Sequence, residues 1–227
     1  MAATFRLNDA DRTLVTQAVT RAELASDGEI VTAIARRSDA YHDVGLHWAV
    51  ATVFLALSVY AAFPDFYRGL ILKLLGGWES AISDRFFLMT ILCALIVKFL
   101  VVRYVLAIMP LRMALTPKAT KMRRVRRRAV MLFRTAVDAR TRAKTGILIY
   151  LSLDEHRAEI VADAAINDRV APEVWGEAMA MLIAGIREGR PGEGMAAAVE
   201  KVGAVLAEHF PRSSDDTNEL PDRLIEL

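Results

Sequence analysis

The sequence predicts an α/β fold that is split by an inserted two-helix transmembrane hairpin. Short apolar segments typical of strands occur before residue 44 and after residue 144, beside segments with helical spacing. Two much longer apolar runs lie between them, at residues 44–63 and 86–109. Because each flanking part has too few strands for a stable sheet of its own, we expect both parts to form one domain.

The N-terminal segment, residues 1–43, predicts one helix and one strand. Asn8 precedes acidic residues, as is typical of a helix N-cap followed by an acidic first turn. Apolar residues then recur at helical spacing over residues 9–25. After a short turn, residues 29–36 are rich in β-branched side chains and predict a strand.

The two long apolar runs predict membrane-spanning helices within residues 44–109. The first has 20 residues without a formal charge, and the second has 24 residues with Lys98 and Arg103 as its only charges. At about 1.5 Å per residue, both cover the roughly 30 Å hydrocarbon core of a bilayer. Uninterrupted runs of this length argue against a buried hairpin of a soluble protein. A cleaved signal peptide is not expected, because acidic residues precede the first run.

The connector, residues 64–85, is too polar to span a membrane again. Its apolar residues can share one helical face that Gly76 and Gly77 would end. The connector is therefore either a helix at the membrane interface, anchored by aromatic side chains, or an ordered loop.

Charge is distributed very unevenly, although the whole chain carries only +2. Residues 110–144 carry a net charge of +11, and residues 145–227 carry −9. Because basic residues mark cytoplasmic flanks, both termini are expected in the cytoplasm and the connector outside. The excess of arginine over lysine, 23 against 6, suggests a bacterium and therefore its inner membrane.

Residues 110–144 predict a basic helix beside the membrane. Its expected membrane-surface residues are Lys118, Lys121, Arg123, Arg124, Arg126, Arg127 and Arg128. Such a run binds either anionic lipid headgroups or nucleic acid. Its position next to a span favours the lipid bilayer, and no nucleic-acid partner is expected.

The C-terminal segment, residues 145–210, predicts a strand hairpin followed by two helices. A polar tail with an apolar end is expected over residues 211–227. The predicted elements are a buried strand at 147–153, an antiparallel partner at 156–164, a helix from Pro172 to about Gly189, and a helix that follows Gly192 and Gly194 and ends near Phe210.

Both flanking parts resemble the TPM domain family. The N-terminal match is a helix ending in Glu23 followed by the strand start Gly28-Glu29-Ile30. The C-terminal match is TGILIYLSLDEHRAEIVAD, residues 145–163, together with the helix-glycine-helix end. The resemblance implies an α/β/α sandwich, phosphatase activity or divalent-metal binding as in some members, and a membrane partner of the LemA type.

The chain departs from the family pattern at two positions. Ala2, Ala3 and Thr4 stand where the family has an acidic pair, and Ala164, Ala165 and Ile166 replace its Gly-x-Gly. These departures favour an interaction domain over a phosphatase. No catalytic residue and no resident cofactor are therefore assigned, and a divalent cation belongs only to the phosphatase alternative.

Three groups of polar residues are weaker candidates for chemistry. Asp163, Asn167 and Asp168 supply oxygen ligands suited to a hard cation, or else a helix cap and a solvated loop. The turn Asp154-Glu155-His156 offers acid–base groups, or else a solvated hairpin turn. The Asp215-Asp216 pair in the tail and Cys93 in the second span are weaker still.

Lys98 lies near the middle of its span, where a charge costs about 2.5–3.5 kcal/mol. No acidic residue of the first span can pair with it. Lys98 is therefore expected to reach toward the interface, or to face the interior of a homo-oligomer or a partner membrane protein.

Taken together, these patterns predict a two-pass inner-membrane protein. Its cytosolic TPM-like domain is expected to act as an interaction or assembly module in membrane-protein or envelope maintenance. The alternative is a membrane-anchored, divalent-metal-dependent phosphatase of the TPM type. A third hypothesis, that the chain is a subunit of a transporter or channel, depends on Lys98 and Arg103 alone.

Overall fold

A computed structural model of the chain describes residues 8–75, 82–138, 145–213 and 219–227. The chain forms two compact units. One combines residues 1–39 with residues 118–227 and is called the α/β unit. The other, residues 40–117, is called the helical unit.

The helices and strands are numbered in chain order. The helices are α1 (Asp9–Glu23), α2 (His42–Ala62), α3 (Pro64–Leu74), α4 (Asp84–Val105), α5 (Met109–Ala114), α6 (Lys118–Phe133), α7 (Ala164–Asn167), α8 (Trp175–Arg187) and α9 (Pro191–His209). The strands are β1 (Glu29–Ala35), β2 (Gly146–Ser152), β3 (Arg157–Ala162) and β4 (Ile225–Glu226). A π-helical turn, Arg134–Asp138, continues α6, and a 3₁₀ turn, Pro172–Val174, precedes α8.

A mixed four-stranded sheet forms the centre of the α/β unit. Its strand order is β3-β2-β1-β4, with β1 parallel to both β2 and β4 and β2 antiparallel to β3. Both central strands are buried along their full length, which is typical of strands covered on both faces. The predicted α/β class and the predicted antiparallel hairpin are therefore confirmed.

Helices cover both faces of this sheet, because alternate residues of each strand point to opposite sides. On one face, Ile30 and Ile149 belong to the core that includes residues of α1, α8 and α9. On the other face, Val31 and Leu148 pack with the apolar side of α6, including Val125. The basic side of α6 is thereby turned away from the sheet.

Helix α1 begins as predicted, at an Asn8 cap. The Asn8 side chain accepts a hydrogen bond from the Asp11 backbone N–H, and the Asp11 carboxylate accepts one from the Asn8 N–H. This capping box satisfies two backbone donors that the first turn leaves without helical partners. The apolar side of α1 then packs on α9, where Gly203 lies against Ala22.

The prediction that Gly192 and Gly194 precede the last helix is wrong. Helix α9 begins at Pro191, so both glycines lie inside it. A Cβ on Gly194 would lie 2.9 Å from the Cα of Gly185. Gly194 therefore permits the close approach of α8 and α9. A Cβ on Gly192 would lie 2.5 Å from the Cβ of Asp11, so Gly192 permits the close approach of α9 and α1, and neither glycine breaks a helix.

The predicted polar tail, residues 211–227, is also wrong in part. Leu220 is buried, and Ile225–Glu226 adds a fourth strand beside β1. The Asp215-Asp216 pair lies outside the described residues. So do residues 139–144, the predicted end of the basic helix.

Two long helices, α2 and α4, pack against each other in the helical unit. Both are long and apolar enough to cross a membrane by length and composition, and only 17% and 6% of their most apolar windows are buried. Helix α4 ends at Val105, earlier than the predicted residue 109. The connector contains a helix, α3, as one of its two alternatives requires, and Gly76 and Gly77 lie outside the described residues.

A buried arginine closes the end of α4. The Arg112 guanidinium donates to the carbonyl oxygens of Leu106 at 2.7 Å, Ala40 at 2.8 Å and Ala107 at 3.4 Å. Two of these carbonyls follow the last turn of α4, where helical partners are missing. Arg112 thus ties the end of α4 to the start of the chain segment that leads into α2.

Candidate functional site

A buried polar network lies where the two parallel central strands end. Ser38 follows β1, and the side chains of Tyr150 and Ser152 come from the end of β2. The Ser38 hydroxyl lies 3.0 Å from the Tyr150 hydroxyl and 3.0 Å from the Ser152 hydroxyl. The Glu155 carboxylate accepts from the Ser38 backbone N–H at 2.9 Å and from the Ser152 hydroxyl.

Each hydroxyl has one proton, and this fixes which group donates in each hydrogen bond of the network. The single Ser152 proton goes to Glu155, so Ser152 accepts from Ser38, and Ser38 in turn accepts from Tyr150. Burial raises the pKa of the Tyr150 hydroxyl above its usual value, and the positive charge of Arg128 opposes that shift. The Ser38 backbone N–H donates to Glu155 and the Ser38 hydroxyl donates to Ser152, so this residue is held from two sides.

A cavity of about 240 Å³ lies beside this network and is called the basic cavity. Its lining residues are Ser38, Asp39, Arg124, Arg127, Arg128 and Met131. The helical repeat places the three arginines and Met131 on adjoining positions of α6. Arg124 Nη1 lies 3.0 Å from Asp39 Oδ2, and both side chains are largely buried.

The remaining basic residues of α6 lie outside this cavity. Arg126 pairs with Glu159 of β3 at 3.4 Å. Burial raises the pKa of Glu159, and Arg126 opposes that shift. Lys118 and Arg123 are exposed and Lys121 is half-buried. The predicted membrane-surface set is thus divided among a cavity, an ion pair and an exposed group.

The predicted metal candidates lie at the opposite end of β2. The Asp163 Oδ2 accepts from the Gly146 backbone N–H at 3.0 Å, and Asn167 Nδ2 donates to the Ala162 carbonyl at 2.8 Å. Asp168 is exposed. Asp163 and Asn167 therefore fasten strand ends. Within the described residues, no group of three or more His, Cys, Asp and Glu side chains is placed to hold a metal ion.

The predicted turn Asp154-Glu155-His156 holds residues with different surroundings. Asp154 lies 3.9 Å from Arg36 and 4.0 Å from Arg37. His156 takes the left-handed conformation, with φ of 50°. Glu155 is buried, although a solvated turn was the simpler expectation. The carboxylate at this turn belongs to the buried network described above.

The polar residues predicted inside the second span lie along α4. Lys98 is half-buried and Cys93 is exposed. Arg103 Nη1 lies 3.7 Å from the position that a Cβ on Gly45 would occupy, so this side chain reaches α2 near Gly45. In the part of the chain that the structure describes, Lys98 has no ion-pair partner.

Sequence reasoning missed an acidic cluster at the start of β1. The Glu23 carboxylate accepts from the Ile30 backbone N–H at 2.9 Å, and burial raises the pKa of Glu23 from 4.5 to about 8. The Glu29 carboxylate accepts from the backbone N–H groups of Glu219 and Leu220, each at 3.1 Å. This cluster holds the C-terminal segment against the start of β1.

Comparison with known proteins supports the fold. No protein-family model matches the chain, and no curated protein matches it. The NMR structure of the BA42 protein from the psychrophilic bacterium Bizionia argentinensis is similar, with a TM-score of 0.56 and 17% identity. The match covers 99% of this chain and 98% of that one. At this level of identity the likeness shows a shared mixed α/β fold.

Proposed function

We propose that the chain is a two-pass protein of the bacterial inner membrane. In this proposal, its cytosolic TPM-like α/β/α domain is split by an inserted membrane hairpin and acts as an interaction or assembly module. Its partners are anionic lipid headgroups together with a second copy of the chain or a membrane protein of the LemA type. The process served is the maintenance of membrane proteins or the envelope.

The outward apolar surface of α2 and α4 is the observation that carries this proposal. Large apolar side chains point away from the helix pair, and Phe54, Leu55 and Leu88 are 64%, 67% and 64% exposed. Contiguous exposed apolar surface of this kind is rare on soluble monomers, because its contact with water is costly. A lipid bilayer covers such a surface without requiring polar partners.

The arrangement of the α/β unit supports the TPM-like part of the proposal. Both segments that resemble the family, before residue 40 and after residue 144, belong to this one unit. Helices lie on both faces of its sheet, as the resemblance implies. The chain between Asp39 and Lys118 forms the helical unit, as an inserted hairpin requires.

The described carboxylates favour interaction over phosphatase chemistry. Asp163 is committed to the backbone of Gly146, and Glu155 is committed to Ser38 and Ser152. A carboxylate that fastens strand ends is a structural element, and its loss disturbs the sheet.

Membrane extraction tests the anchoring. Alkaline carbonate removes peripheral proteins, so the full chain is expected to stay in the membrane pellet and to float with lipid. Release into the soluble fraction would reject the anchoring.

Native electrophoresis of solubilised membranes tests the assembly role. Lys98→Leu removes the charge from the middle of α4 and is expected to leave membrane insertion unchanged while reducing complex size. Lys73→Leu, an exposed lysine of the connector helix, is the matched control. Equal complex sizes for the wild type and Lys98→Leu would count against assembly through this helix.

A phosphatase assay tests the alternative function. The purified full chain is expected to show no turnover of a phosphate monoester with or without Mg²⁺, Ca²⁺ or Mn²⁺. Asp168→Asn separates chemistry from folding, because Asp168 is exposed. Metal-dependent turnover that Asp168→Asn abolishes would establish the phosphatase.

A further inference from the structure

We propose that the basic cavity is a specific binding site for one phosphate group, carried either by a lipid headgroup or by a free phosphate. The inference deepens the proposed function, since a lipid source requires the chain to be membrane-bound. It replaces a diffuse basic surface with a defined site whose residues can be tested one by one.

The charge of the cavity favours a phosphate. Three guanidinium groups and one carboxylate line it, and that carboxylate, Asp39, is paired with Arg124. Across the described parts of the chain, Arg127 and Arg128 have no ion pair or side-chain hydrogen bond. Arg128 is half-buried, and Arg127 is exposed. A guanidinium withdrawn from water favours an anion with oxygens in fork geometry, as a phosphate supplies.

The wall of the cavity is already ordered. Ser38 is fixed by the hydrogen bonds to Tyr150, Ser152 and Glu155, and Arg124 is fixed by Asp39. The Arg127 and Arg128 guanidinium groups extend from a regular part of α6 whose opposite side is buried on the sheet. Preformed walls reduce the ordering cost of binding.

The size of the cavity restricts the ligand. A volume of about 240 Å³ lies below the roughly 300–1,000 Å³ of sites for drug-sized ligands. A phosphate with a short attached group suits this volume, and a nucleotide cofactor does not. The position at the carboxyl ends of the parallel strands β1 and β2 is also where α/β folds bind ligands.

Chain connectivity links this site to the helical unit. Asp39 immediately precedes residue 40, where the helical unit begins, and Arg124 follows residue 117, where it ends, by seven positions. Asp39 and Arg124 are therefore close in sequence to the segment that the proposed function anchors in a membrane. A free phosphate ester in the cytoplasm has the same chemistry and remains the second source.

Two matched double variants of the full chain test the site. Arg127→Gln with Arg128→Gln removes two charges from the cavity, and Lys121→Gln with Arg123→Gln removes two charges from the same helix outside it. Thermal unfolding of each variant checks that the fold is intact. Arg127→Lys with Arg128→Lys keeps both charges but loses the fork geometry.

Native mass spectrometry in neutral detergent measures the binding of three probes. The probes are phosphatidic acid, phosphatidylcholine and inorganic phosphate, and inorganic phosphate is also tested as a competitor of the bound lipid. The cavity double variant is expected to weaken binding by about tenfold or more, because charge-assisted hydrogen bonds are lost. The outer double variant is expected to change binding by less than about twofold, because its two charges lie outside the cavity. The lysine double variant is expected to fall between the two.

The outcomes distinguish a lipid headgroup from a free phosphate, and they distinguish the phosphate site from the proposed membrane function. Selective binding of phosphatidic acid, displaced by inorganic phosphate, identifies a lipid headgroup. Binding of inorganic phosphate without a lipid preference identifies a free phosphate; both results support the site. Equal losses in the two glutamine double variants, or no binding of any probe, would overturn it. Membrane anchoring is measured separately by carbonate extraction. A result that rejects the phosphate site therefore does not reject the proposed membrane function.

Discussion

Replacing Thr32 by valine is expected to stabilise the α/β unit. Thr32 lies in the middle of β1 and is 1% exposed. It lies between Ile30 and Ile34 on the same face of β1, and both isoleucines belong to the core packed against α1, α8 and α9. Within the residues that the structure describes, no hydrogen-bond partner lies in reach of the Thr32 hydroxyl.

The size of the gain follows from this burial. A buried polar group without a partner costs about 1–3 kcal/mol. Valine has nearly the same shape and keeps the β-branched geometry that suits a strand, so little is lost in exchange. A gain of about 1–2 kcal/mol corresponds to a rise of roughly 2–8 °C in Tm for a chain of this size.

Thermal unfolding of the full chain in detergent, followed by tryptophan fluorescence, measures this change. Trp175 is buried in the same core and reports on this unit. Thr145→Val is the matched control, because the Thr145 hydroxyl donates to the Asp27 carbonyl at 2.9 Å. The control is expected to lower Tm. A lower Tm for Thr32→Val, or the same change for both variants, would refute the reasoning.

Three further changes are expected to alter stability. Glu23→Gln keeps the acceptor for the Ile30 N–H but removes a carboxyl group whose folded pKa is about 8. As pH rises from 4.5 to about 8, the free energy of unfolding of the wild type falls by up to about 1.4 kcal/mol per pH unit. The reason is that the Glu23 carboxyl group keeps its proton to a higher pH in the folded state than in the unfolded state. The Tm advantage of Glu23→Gln should therefore be absent below pH 4.5 and grow up to about pH 8; a constant difference would contradict this. Gly203→Ala places a Cβ 2.5 Å from the Cβ of Ala22, so overpacking should cost about 1–3 kcal/mol, and an unchanged Tm would show that α1 and α9 separate freely. Arg112→Lys loses the guanidinium fork that serves several carbonyls and should lower the thermal stability of the helical unit by about 1–3 kcal/mol; full retention would mean that water satisfies those carbonyls.

The main elements of the fold were predictable because their residues carry periodic patterns. The strand at residues 29–36, the buried strand at 147–153 and its antiparallel partner all have counterparts close to their predicted bounds. The first long apolar run gives α2, displaced by about two residues at its start. These patterns are local, and each reflects which faces of an element are covered.

The elements that were missed depend on tertiary contacts. Strand β4 has only two residues, too few for an alternating pattern. Gly192 and Gly194 are typical of a helix boundary in sequence, but here Gly192 serves the close packing of α9 on α1 and Gly194 that of α9 on α8. The same residue type favours a break or a close contact, and only the neighbouring helix decides which.

The candidate site was predictable only in composition. The basic residues of α6 were identified, but their division depends on Asp39 and Glu159, which are distant in sequence. One signal was available: Ser38 and Asp39 come shortly after the end of β1, a strand of a parallel pair, and α/β folds bind ligands at such strand ends. Burial of Glu155 was not predictable, because turn residues are usually solvated.

Cysteine labelling in spheroplasts is the most direct test of the two-pass topology. In a Cys93→Ala background, Asp65→Cys places a thiol in the connector, and Glu208→Cys places one near the end of α9. A membrane-impermeant maleimide added to spheroplasts is expected to label the connector thiol at once, and the second thiol only after the membrane is opened. Labelling of both thiols, or of neither, before the membrane is opened would contradict a membrane hairpin with both termini in the cytoplasm.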